Sequence, residues 1–353
     1  MTTAPLTSLQ RVLVTLGHQE PDRVPLFLLV TLHGAQELGL TIKDYFSRAE
    51  HVVEGQLRMA RKYHNDCLYA FFYAALEIEA WGGEVIFVED GPPNASQPFI
   101  HTSAQIRTLQ PPVIAETPCL QRVLAAIRQL HARSQGTTPI IGVVMAPFSL
   151  PVMQMGFEAY LDLMHEEPEL FALLMQINED FCVAWANAQL AAGATAICYF
   201  NPVASNTIVS REQFLRLDYP ISTRVCARIK GPVAFHFASG RCLPLLAEVA
   251  QTGAVAVGVS TLEDLATLKQ AVAGKVSLLG NLNGITMRHW SAAQAETTVK
   301  TAIAAAGPGG GFILADNHGE IPFQVPETTL LAIAEAVQRW GTYPLHWTDD
   351  REP

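Results

Sequence analysis

Positive charge is scarce in this chain of 353 residues: 23 Lys and Arg stand against 33 Asp and Glu, a formal net charge of -10. A nucleic-acid-binding face needs a basic surface, so the balance speaks against nucleic acid as a partner. Long apolar runs are missing too. No stretch approaches the roughly 18 uninterrupted apolar residues of a membrane span, although 49% of the residues are hydrophobic. The mean hydropathy of +0.19 therefore reflects a core rich in Ala, Val, Leu and Ile. The opening MTTAPLTSLQRVLVTLG lacks the apolar run of a secretory signal and continues as an amphipathic helix. The six cysteines (Cys67, Cys119, Cys182, Cys198, Cys226 and Cys242) form no CxxC pair and no dense cluster. A reduced, cytoplasmic chain without a disulfide framework is expected.

No G-x-G-x-x-G follows the first strand candidate, which removes the signature of an open dinucleotide-binding sheet. The GPGGG at 307–311 precedes a strand and reads as a turn. What is present is a serial alternation of short apolar runs with Ala/Leu-rich helical patterns. Eight runs predict strands: Val24–Val30, Cys67–Phe72, Ile140–Val144, Ala196–Phe200, Val233–Phe237, Ala254–Gly258, Val276–Gly280 and Phe312–Ala315. Helical patterns include Phe157–Ala192, Leu243–Gln251, Leu262–Val272 and Ala292–Ala306, with Gly193, Gly253 and Gly274 as stops and Thr261 and Ser291 as starts. The order predicts an α/β protein, a single TIM-type (β/α)8 barrel over residues 1–353. It carries an N-terminal helical extension and an insertion at Gly82–Gln110, after strand two.

In such a barrel the residues just past each strand's C-terminal end face one cleft. Those positions supply Glu79 after strand two, Asn201 and Ser205 after strand four, and His236 and Cys242 after strand five. Asn281 and Asn283 follow strand seven, and Asp316 and His318 follow strand eight. The ordinary role of Asn and Ser there is to cap a helix or form a loop, which applies to Asn283 and Ser205. Isolated carboxylates such as Glu79 are by default solvated. His236 differs, because it ends the apolar run PVAFHF and its imidazole needs a partner in or near the cleft. Imidazole, thiol and carboxylate together favour zinc among the common metals.

Several segments carry a resemblance in a fixed order: EPDRVPLF (20–27), MAPFSLP (145–151), GNLNG (280–284) and ILADNHGEIPFQVPETTL (313–330). On these the chain resembles the uroporphyrinogen decarboxylase superfamily of TIM barrels, along essentially its whole length. The decarboxylase branch anchors an acidic tetrapyrrole with an R-Q-A-G-R-Y segment after strand one. The corresponding stretch, LFLLVTLHGAQELGL, holds no arginine, and F-D-S-W after strand four is replaced by YFNPVASN. His318-Gly319 does resemble that branch's G-H-G. EAWGGEVIFVEDGPPN (79–94) and NPVASNTIVSREQF (201–214) are more similar to the corrinoid-dependent, methylcobamide:coenzyme M-type methyltransferases.

The resemblance to that branch implies zinc held by H-x-C after strand five and a cysteine after strand eight, activating a thiol as thiolate. This chain has Ala238 in place of the first cysteine and the Asn317-His318 neighbourhood in place of the second. The expected metal set becomes His236, Cys242 and His318, or the zinc is absent. The expected activity is methyl transfer between a corrinoid, presented by a corrinoid protein or met as substrate, and a small-molecule donor or acceptor. His236 and His318 would hold a metal or act as acid and base. Glu79, Asn201, Ser205, Asn281, Asn283 and Asp316 would contact substrate. The alternatives are a metal-free lyase with His318 as proton donor, and a non-catalytic tetrapyrrole- or corrinoid-binding barrel.

Overall fold

Period-two alternation decides which side chains enter the barrel. The computed structural model describes residues 5–272 and 274–348. Its strands are β1 (Leu26–Phe27), β2 (Leu68–Tyr69), β3 (Ile140–Met145), β4 (Ala196–Phe200), β5 (Val233–His236), β6 (Ala256–Gly258), β7 (Ser277–Leu282) and β8 (Phe312–Asp316). All seven neighbouring pairs are parallel, in the order β1-β8-β7-β6-β5-β4-β3-β2. Along β4, Ala196, Cys198 and Phe200 face the interior cavity, while Tyr199 packs outward against the helices. Ala234 and His236 face inward on β5 in the same way. The sequence expectation of a single α/β barrel with eight strands is met.

The strands β1 and β2 are shorter than their apolar runs because they form no ladder with each other. One backbone bond, from Asp66 N–H to the Leu26 carbonyl at 2.8 Å, crosses that seam, and side chains close the rest. Asn65 binds both backbone groups of Leu28, accepting its N–H at 2.8 Å and donating to its carbonyl at 3.2 Å. Asp66 accepts the Leu26 N–H at 2.9 Å. The same carboxylate takes Arg11 Nη1 at 2.6 Å and Arg23 Nη1 at 2.6 Å, and Arg11 also grips Asp22. Two buried guanidiniums on one carboxylate thus tie the N-terminal helix α1 (Ser8–Leu16) to the base of the barrel. Val12 of that helix joins Phe27, Tyr69, Ile141, Leu279 and Ile313 in the interior cluster, so α1 stoppers the end opposite the cleft.

Helix ends follow the expected chemistry with two differences. Ser291 caps Ala292–Ala306 in a reciprocal box with Gln294, and Gly193, Gly253 and Gly274 all take positive φ. The pattern Phe157–Ala192 is two helices, Phe157–Glu166 and Pro168–Ala192, because Pro168 has no N–H and starts a new first turn. The helix after β6 begins at Leu265, and Asp264 rather than Thr261 accepts the Thr267 N–H at 2.8 Å. The insertion after β2 contains a two-residue antiparallel pair, Val85–Ile86 with Asn94–Ala95. Gln324 donates to the Asp90 carbonyl at 2.6 Å, which ties this insertion to the loop after β8.

Candidate active site

A cavity of about 310 Å³ opens at the C-terminal ends of the strands. Its floor is apolar, built by Phe27, Tyr69, Ile141, Cys198 and Leu279. Its upper wall carries His236, Asp316, His318 and Glu320, and Pro92, Pro93 and Asn94 of the insertion roof it. Among the described residues no Lys or Arg lines it.

His236 ends β5 opposite Phe200 of β4, and the two rings lie 5.4 Å apart. The Ala238 N–H donates to His236 Nδ1 at 3.0 Å. Nδ1 is therefore the acceptor nitrogen, and in the neutral ring the proton sits on Nε2. Burial, with a smaller contribution from His318, lowers the pKa of His236 to about 4, so the ring is neutral at pH 7. Room for it comes from Gly258, its partner in register on β6.

His318 lies on the loop after β8, and burial also lowers its pKa. With the Asn317 amide oxygen accepting from Thr261 N–H at 3.2 Å, the amide NH2 donates to the Leu282 carbonyl at 3.0 Å and to His318 Nδ1. Both imidazoles thus receive an N–H at Nδ1 and keep Nε2–H as donor. A histidine that ligates a metal through Nε2 must have that nitrogen free of its proton, and it ordinarily donates from Nδ1. The arrangement here is the reverse.

Asp316 is 3% exposed. Its Oδ1 accepts the Leu29 N–H at 3.3 Å, whereas Oδ2 has no hydrogen-bond partner. Burial raises its pKa to about 7, against the weaker opposing pull of nearby backbone N–H groups, among them those of Leu29, Gly319 and His318. Glu320 accepts from the Thr31 hydroxyl, and burial together with the Asp316 charge pushes its pKa well above the usual carboxylate range. Two carboxyls with raised pKa and two neutral imidazoles therefore share one cavity.

The remaining sequence-predicted residues lie outside the cavity lining. Asn201 is buried behind β4, where Ser149 Oγ donates to its Oδ1 at 2.7 Å and its amide donates to Asp218 at 2.9 Å. Asn283 accepts from the N–H groups of Ile285 and Thr286, the capping role weighed for it from sequence. The Asn281 amide donates to the Ser260 carbonyl at 3.1 Å. Ser205 is buried against Gly240, and Glu79 faces a separate cleft, accepting from the Tyr73 hydroxyl beside Arg122. Cys242 is fully buried in the main apolar core, and burial drives its thiol pKa up. The set His236, Cys242 and His318 is not assembled. Among the described residues no group of three or more His, Cys, Asp or Glu is arranged to hold a metal ion. The expected zinc does not fit these residues.

Sequence reasoning missed Glu320, Tyr69 and Asn94. Glu320 sat within the polar run DNHGE, but nothing in the spacing distinguishes a carboxyl turned into the cavity from a solvated one. Tyr69 reads as an ordinary inward strand residue, and Asn94 reaches the cavity only because the insertion folds back over the mouth.

The uroporphyrinogen decarboxylase (URO-D) family model matches residues 7–340. A uroporphyrinogen decarboxylase from Idiomarina loihiensis is 24% identical over 362 aligned residues, which cover 96% of this chain and 98% of that protein. One from Actinobacillus pleuropneumoniae is 27% identical, covering 81% of this chain and 83% of the relative. Among solved structures, a methyltransferase from Methanosarcina mazei superposes with a TM-score of 0.82 at 18% identity, covering 95% of this chain and 99% of that one. A B12-independent methionine synthase from Shewanella gives 0.53 at 13% identity, covering 82% and 88%. At these identities the structural likeness concerns the fold.

Proposed function

The chain belongs to the uroporphyrinogen decarboxylase family, and from its cavity we propose that it is a methyltransferase acting between a corrinoid and a small, largely apolar molecule. The observation that carries this reading is that, among the described residues, no Lys or Arg lines the cavity. A uroporphyrinogen brings several carboxylates, and burying them without cationic partners is prohibitively costly. A volume of about 310 Å³ also suits a compact substrate better than a tetrapyrrole.

In the proposed reaction His236 and His318 present Nε2–H groups to a polar atom of the substrate. The rings of Phe27, Tyr69, Phe71 and Phe200 exclude water from the methyl group. The corrinoid, too large for the cavity, meets the substrate at the mouth beside Pro92 and Pro93, carried there by a partner protein or free. No step passes through a metal ion held by this chain, because the zinc set does not fit.

A second reading, a lyase in which a protonated Asp316 delivers a proton, is favoured by its pKa of about 7 and by the names of the sequence relatives. Parallel assays separate the two. Methyl exchange with cobalamin, followed by visible absorbance, supports methyl transfer. Formation of coproporphyrinogen from uroporphyrinogen instead supports the lyase.

A further inference from the structure

We propose that the methyl donor is a small methylated ammonium cation, with Asp316 and Glu320 facing the positive charge and aromatic rings surrounding the methyl groups. This deepens the methyl-transfer reading and rests on it.

The charge pattern of the cavity is one-sided. Among the described residues two carboxyl side chains, Asp316 and Glu320, line it and no Lys or Arg does. Asp316 Oδ2 is buried with no hydrogen-bond partner, an expensive omission unless a ligand supplies what is missing. A hydrogen-bond donor on a neutral ligand would satisfy one oxygen. A cation stabilises the ionised form of both carboxyls, which burial alone disfavours.

The walls fit the same guest. Phe27, Tyr69, Phe71 and Phe200 contribute four aromatic rings to one cavity. Ring faces attract a quaternary ammonium group, whose charge is spread over its methyl hydrogens, more strongly than its neutral carbon analogue. The Nε2–H groups of His236 and His318 remain available for an oxygen elsewhere on the donor.

The transfer balances without a proton or an external oxidant. The N–CH3 bond breaks with its electron pair left on nitrogen, giving a neutral tertiary amine. The new carbon–cobalt bond takes its pair from the reduced, Co(I) corrinoid acceptor.

Calorimetric titration of the full-length protein with choline and with its neutral isostere 3,3-dimethylbutan-1-ol tests the assignment. We expect choline to bind at least tenfold more tightly, and Asp316→Asn and Glu320→Gln to reduce that ratio, with circular dichroism confirming that both variants fold. Equal binding of the two probes by the wild-type protein overturns the proposal, as does a ratio unchanged in both folded variants. Transfer from each probe's class to cob(I)alamin is read separately. Choline selectivity without any transfer upholds the recognition and counts against methyl transfer. Transfer from a neutral methyl ether without choline selectivity does the opposite.

Discussion

A Cβ placed on Gly258 would lie 2.6 Å from Cδ2 and 3.0 Å from Nε2 of His236, so the β6 backbone is the surface on which this ring rests. Gly258→Ala must push the imidazole out of its hydrogen bond to Ala238 N–H, or push β6 away. A change of this kind at a reacting site costs far more in rate than in stability. The expectation is at least a tenfold loss of methyl transfer with a stability loss of roughly 1–3 kcal/mol. Denaturant titration and turnover measured on the same preparation check it; unchanged turnover would remove His236 from the machinery.

Asp66 is the one carboxylate to which Arg11, Arg23 and the Leu26 N–H all converge. Removing one partner of a buried ion network leaves uncompensated charge, typically at a cost of about 3–5 kcal/mol. Asp66→Ala is therefore expected to lower the urea midpoint sharply, far more than Glu54→Ala, whose carboxylate pairs with Arg58 and Arg133 at the surface. Equal midpoints for the two variants would show that the seam between β1 and β2 does not depend on this cluster.

The sequence reveals the fold more fully than the site. Strand positions were readable because β-branched and aromatic runs end at helix-stopping glycines such as Gly193 and Gly253. His236 was readable because an imidazole closing an apolar run is unusual. The seam was not, since Asn65 and Asp66 look like loop residues until two non-adjacent backbone segments meet around them. Cys242 read as a ligand because it lies six residues beyond His236 in sequence, yet its backbone N–H is bound by Glu263 and its side chain is in the core. The direction in which a loop side chain turns is a tertiary property, and the same reason hid Glu320.

The Asp316 carboxyl gives a pH signature. Its folded pKa of about 7 is raised from 3.8, so its favourable contribution is complete below 3.8 and is lost as pH rises through 7. Asp316→Asn lacks this titration. The variant should gain on the wild type between pH 4 and pH 8 by roughly 2–4 kcal/mol, as an upper range for a buried group. A stability difference independent of pH would mean that Asp316 titrates as an ordinary carboxylate.

Uroporphyrinogen should not be turned over. With no Lys or Arg among the described residues of the cavity lining, its acetates would be buried unpaired. An anaerobic assay with fluorimetric detection of coproporphyrin checks this, and clear product formation would restore the lyase reading.

The most direct test of the central claim is anaerobic incubation of the purified, chelator-treated protein with cob(I)alamin and a panel of small methyl donors, following the absorbance of methylcobalamin. Methyl transfer is expected to survive removal of metal ions and the Cys242→Ala substitution, and to be lost in His236→Ala and His318→Ala variants that remain folded. Transfer that disappears with the chelator and returns with zinc would contradict this expectation, as would a rate indifferent to both histidines.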